Sequence, residues 1–144
     1  MRTAGSLHIL HIESDETLAE ECWRALLDCG LEFKVTLATT RDAYRKALAA
    51  GDVDIVLSDS CGYDFDGAEA LDYVRVNYPG IPMLFLSDCY VNRDPRLLKA
   101  EGAADCLSMG HLRRLAPAIL RATTDASHSR PRAAAAITLN RVEA

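Results

Sequence analysis

The sequence predicts an α/β protein in which five successive β-α units build one parallel sheet, and three observations carry that expectation. Short apolar runs of strand length recur at Leu7–Ile12, Phe33–Leu37, Val53–Ser58, Pro82–Ser87 and Ala104–Met109. The segments between them carry apolar residues at helical spacing. Helix-stopping residues follow those segments, at Gly30, Gly51, Pro79-Gly80 and Gly102.

Taken in order, Leu7–Ile12 is a first short strand interrupted by His8 and His11. Both read as structural, at a sheet face or rim. Ser14 or Asp15 can cap a helix beginning near Glu16, with Leu18, Cys22, Leu26 and Leu27 on one face and Gly30 ending it. Phe33–Leu37 alternates as a strand does. Thr40 can cap a helix through Ala50, with Ala43, Ala47 and Leu48 inward. The third strand, Val53–Ser58, ends at Asp59, and Gly67 opens a helix to Asn77 with Ala70, Leu71 and Val74 inward. Pro82–Ser87 is almost wholly apolar and hence a central strand. Asp94 caps a short helix to Glu101, with Pro95 in its first turn. After the fifth strand comes a last helix, Leu112–Thr123, in which Pro117 is tolerable only if the helix starts late enough to hold it in the first turn. Short connections and right-handed crossovers then lead to a flavodoxin-like three-layer sandwich, a (βα)5 unit with strand order 2-1-3-4-5. Residues 6–123 read as one domain and 124–144 as a flexible tail.

Composition narrows the function classes. At 144 residues with 49% hydrophobic and 26% charged residues, the chain is an ordinary globular domain with a proper core. The net charge of −5 divides into +2 over residues 126–144 and −7 over the rest, which argues against nucleic-acid binding by the domain itself. No apolar run approaches the roughly 20 residues of a membrane span, and the N-terminus has no secretory h-region, so a cytoplasmic protein is expected. The five cysteines lack zinc-site spacing and read as reduced, mostly buried thiols.

In the expected strand order, the first, third and fourth strands are neighbours and the fifth follows the fourth. Their C-terminal ends carry Glu13-Ser14-Asp15, Asp59, Ser87-Asp88 and Ser108-Met109. Open α/β sheets place their chemistry at such ends. Carboxylates converging there suit Mg²⁺, and a cation beside a hydroxyl and loop amides suits phosphoryl transfer. Asp59 alone would also serve as a turn or capping residue.

These residues resemble the receiver domain of two-component response regulators over about residues 6–122. Asp59 and the spacing to Asp66-Gly67, Ile81-Pro82 with Ser87 after an apolar strand, and Gly102-Ala-Ala-Asp105 each match a family feature in order. The resemblance implies Asp59 as phosphoacceptor, Ser87 contacting the phosphoryl group as the switch hydroxyl, and Mg²⁺ held by Glu13, Asp59 and the backbone carbonyl of Cys61. It implies a sensor histidine kinase or phosphotransfer protein as partner, and a homodimer through the helix 4–strand 5–helix 5 face, with no enzymatic activity, nucleic acid or membrane involved. Arg113, Arg114 and Arg121 read as a solvated helix face.

Three positions depart from the family. Its second acidic residue is Ser14, leaving a water or Asp15 to stand in; its strand-5 Lys is Met109; and its aromatic switch residue is Cys106. The expectation is an atypical receiver, the alternative a phosphorylation-independent module acting through protein contacts. Cys61, Cys89 and Cys106 lie near the same edge, and a redox site there is a lesser alternative. A phosphatase of haloacid-dehalogenase type would need a second Asp where Cys61 stands, and Glu13-Ser14-Asp15 would repel the phosphate of a flavin.

Overall fold

A computed structural model describes residues 6–59, 67–87 and 95–129. Five strands, β1 (Ser6–Ile12), β2 (Glu32–Ala38), β3 (Ile55–Asp59), β4 (Met83–Ser87) and β5 (Asp105–Ser108), form one parallel sheet in the order β2-β1-β3-β4-β5. The helices are α1 (Glu16–Asp28), α2 (Arg41–Ala50), α3 (Gly67–Asn77), α4 (Pro95–Ala100) and α5 (Leu115–Ser129). The expected architecture and strand order are both observed.

The layers follow from the alternation of side chains along each strand. One face gathers Leu10, Ile12, Val56, Met83 and Phe85 against Tyr44, Leu48, Leu71, Val74 and Leu98 of α2, α3 and α4. The other gathers Leu7, Ile9, Ile55, Leu57, Leu84 and Leu86 against Cys22 and Leu26 of α1 and Leu115 and Ile119 of α5. Truncating a side chain in such a core, as in Leu57→Ala, typically costs about 2–5 kcal/mol.

Helix ends follow local chemistry. Asp15 caps α1 by accepting from the Thr17 and Leu18 amides (2.9 and 3.4 Å), and Gly30 takes a left-handed φ of +80° beyond its end. Thr40 caps α2 by accepting from the Ala43 amide at 3.1 Å. At the next turn Gly51 and Asp52 are both left-handed, with φ of +86° and +72°. His8 pins this turn: its Nδ1 lies 2.9 Å from the Asp52 carbonyl and its Nε2 2.8 Å from Thr36 Oγ1. His8 is thus structural, as expected.

Some details differ from the expectation. Tyr44, on α2, is fully buried and donates its hydroxyl to the Ala70 carbonyl at 2.7 Å, whereas Ala43 and Ala47 are only partly buried. Leu27 is 64% exposed, because Ala19, Cys22 and Leu26 already fill the inward stripe of α1. Leu112 belongs to a 3₁₀ segment, Met109–Arg114, that precedes α5, and Pro117 accordingly sits in the first turn of that helix. Helix α5 continues to Ser129, six residues past Thr123, and the Thr123 hydroxyl donates to the Ile119 carbonyl at 2.9 Å.

Candidate functional site

The C-terminal ends of β1, β3, β4 and β5 meet at one edge of the sheet. The register sets Ile12 beside Ser58, Asp59 beside Leu86, and Ser87 beside Ser108. The backbone therefore lines up Glu13, Asp59, Ser87 and Met109 at the ends of four adjacent strands, as the sequence implied. The side chains of Asp59 and Ser87 lie outside the described residues, as do Cys61 and Cys89.

Glu13 leaves β1 with its amide bonded to the Ala38 carbonyl of β2 (3.3 Å), which holds it at the strand end. Only 5% of it is exposed, and its Oε2 accepts from the Asp15 amide at 3.2 Å. Burying a carboxylate is costly, and the Asp15 amide offsets part of that cost. Asp15 caps α1 through one carboxylate oxygen, Oδ1, which accepts from both the Thr17 and Leu18 amides. Ser14 is exposed and supplies a hydroxyl only. Among the described residues no group of three or more His, Cys, Asp or Glu side chains is placed to hold a metal ion.

Position 109 is decided by packing. Ser108 Oγ accepts from the Gly110 amide (3.1 Å) and starts the 3₁₀ turn, and Met109 packs into the core layer of α1 and α5. Its thioether accepts from the Cys22 thiol at an Sγ–Sδ separation of 3.9 Å. The apolar thioether satisfies the core here, which a lysine ammonium would not.

Burial, then the charges of Glu13 and Glu21, pushes the Cys22 thiol up to about 12. Burial likewise pushes Cys106 up to about 11, with the neighbouring Asp105 adding to it. Both remain thiols at neutral pH and are poor nucleophiles and metal ligands. Cys106 packs against the layer of α2, α3 and α4 beside Phe85, so a small thiol occupies the place implied for an aromatic switch.

One feature of this edge escapes a residue-by-residue reading. His11, two residues before Glu13, is fully buried on the α1 side, flanked in register by Leu37 and Leu57. The indole of Trp23 donates to its Nδ1 at 3.0 Å, with the rings 6.0 Å apart and edge-on. Among the described residues its Nε2 has no partner. Strand parity is the signal that finds it, since 9, 11 and 13 share one face.

No protein-family model matches the chain, and no characterised protein matches it by sequence. Solved structures do match in fold. The signal receiver domain of an HD domain-containing protein from Pseudomonas fluorescens aligns with a TM-score of 0.76 at 20% identity, over 92% of this chain and 97% of that one. The signal receiver domain of a LuxO repressor protein from Vibrio parahaemolyticus aligns with a TM-score of 0.74 at 19% identity, over 86% and 95%. A response regulator receiver domain from Clostridium thermocellum aligns with a TM-score of 0.71 at 20% identity, over 83% and 95%. At these TM-scores over most of both chains, the fold of this chain is that of a response-regulator receiver domain.

Proposed function

We propose that this chain is a receiver-type signalling module rather than an enzyme, with Asp59 in the phosphoacceptor position and weakened support for phosphorylation there. The observation that carries this reading is Met109, whose thioether is engaged with Cys22 of α1 where the resemblance implies a lysine. A phosphoryl group on Asp59 would lack that ammonium, and Ser14 would supply a hydroxyl where the resemblance implies a second carboxylate. Glu13, Asp59 and the Cys61 carbonyl would hold Mg²⁺, which would supply charge neutralisation at the acceptor. Ser87 would hydrogen-bond a phosphoryl oxygen.

Losing one preorganised electrostatic group costs on the order of 10²–10³ in rate, and such losses combine non-additively. The proposed donor is a sensor histidine kinase or phosphotransfer protein, and the output passes through protein contacts, with a dimer through α4, β5 and α5 as the arrangement the resemblance implies. The same observation favours a second reading, a module that acts without phosphorylation.

Beryllofluoride with Mg²⁺ tests the proposal, read by NMR at Glu13, Asp59, Ser87 and Met109. Wild type is expected to respond weakly at millimolar Mg²⁺, and Ser14→Asp combined with Met109→Lys to gain a clear response. A saturating wild-type response would overturn the weakened-support reading, and no response in either protein would remove Asp59 as an acceptor. Partner binding that survives Asp59→Asn would favour the second reading.

A further inference from the structure

Among the described residues, the two edges of the sheet are protected unequally. The β5 edge is four residues long, and its Asp105 is engaged by Lys99 of α4 (3.2 Å) and Arg121 of α5 (3.8 Å). The β2 edge is seven residues long and pairs with β1 one-to-one from Ser6–Glu32 to Ile12–Ala38, with no bulge and no proline. Long regular edges of this kind are templates for another strand.

The Ala38 carbonyl accepts from the Glu13 amide, so residue 38 faces β1. Alternation along a regular strand then turns residues 36, 34 and 32 toward β1 and the amides and carbonyls of Phe33, Val35 and Leu37 outward. The Phe33 and Val35 side chains are half-buried on the α1 face, and Glu32 and Lys34 are exposed on the other.

We infer that β2 pairs with β2 of a second copy of this chain, antiparallel about a two-fold axis at Phe33. In that register Phe33 faces Phe33 of the second copy, and the two exchange both main-chain hydrogen bonds. Val35 donates to Leu31 of the second copy; the Leu31 amide itself is already bonded to Leu26 within its own chain (3.2 Å). Glu32 falls opposite Lys34 twice, once in each direction, at the closely spaced non-hydrogen-bonded positions. The next register along would set Lys34 against Lys34, which like charges disfavour. The chosen register also brings residue 29 beside residue 37 of the second copy. The end of α1 that leaves Leu27 64% exposed then stands next to the Val35–Leu37 stretch of the other β2. Lys34 reaches Asp52 of its own chain at 3.2 Å, with both side chains largely exposed, so it remains available for a second carboxylate. This inference is independent of phosphorylation at Asp59 and uses the sheet edge opposite to β5.

Sedimentation equilibrium of the full chain, from low micromolar to several hundred micromolar, tests it alongside amide exchange at Phe33 and Val35. A concentration-dependent dimer is expected, with those two amides protected only as it forms. Glu32→Lys alone and Lys34→Glu alone should each weaken association by about tenfold, because each reversal acts on two symmetric pairs. The double exchange Glu32→Lys with Lys34→Glu should restore it to within about threefold. A chain that stays monomeric overturns the inference. So does a dimer insensitive to both single reversals, which would lie on another face. A monomer whose Phe33 and Val35 amides are protected at every concentration overturns it too, placing another part of the same chain on the edge.

Discussion

Lowering the pH from 7 to 5 should destabilise this domain through one side chain, His11. The ring is fully buried between Leu37 and Leu57, and burial lowers its pKa from 6.5 to about 4. The unfolded chain binds a proton on this residue below about pH 6.5, whereas the folded protein resists until about pH 4. Within that window the unfolded state holds more protons, so stability falls as pH falls and levels off below the folded value. The full difference amounts to about 3 kcal/mol, and the part lost between pH 7 and 5 to about 2 kcal/mol. With a urea dependence of about 2 kcal/mol per molar for a domain of this size, the midpoint moves by about 1 M. Trp23 is the single tryptophan and touches His11, so its fluorescence reports the transition directly. The window lies above the ordinary range of carboxylates, which keeps their contribution small. His11→Gln removes the titrating ring and retains an acceptor for the indole, and its midpoint should change far less between the two pH values. Equal midpoints for wild type at pH 7 and 5, or an equal fall in His11→Gln, would refute the reasoning.

Two further substitutions probe how the edge is held. Asp15→Ala removes the α1 cap and leaves the Thr17 and Leu18 amides without it, and should cost about 1 kcal/mol in urea unfolding, whereas Asp15→Asn should recover most of it. Tyr44→Phe deletes the hydroxyl bonded to the Ala70 carbonyl inside the core and should cost about 1–3 kcal/mol, with unchanged far-UV circular dichroism.

Much of this molecule is legible one residue at a time. Gly30 and Gly51 end helices, Thr40 starts one, and Gly67–Asn77 is observed as a helix over the same span as its spacing indicates. These are local matters of backbone freedom, capping and period, settled within a few residues of chain. The candidate edge is legible in part: strand order alone sets Glu13, Asp59, Ser87 and Met109 side by side. Other features depend on what lies across the fold. Leu27 shares the spacing of the inward α1 residues yet is exposed, because α1 presents a stripe narrower than that spacing suggests. Either Ser14 or Asp15 suits the α1 cap by its sequence position, and the loop geometry gives the role to Asp15.

The sequence by itself determined the five β-α units, their parallel order and the row of residues at the strand ends, because periodicity, turn residues and crossover handedness act locally and leave few topologies. What those residues touch is set by packing across the fold. That packing buried His11 against Trp23, joined Met109 to Cys22, and, among the described residues, left β2 as the longer edge of the sheet. Such contacts unite positions as far apart as 22 and 109. They arise from filling the space between a sheet and its helices, and no local pattern in the chain encodes that volume.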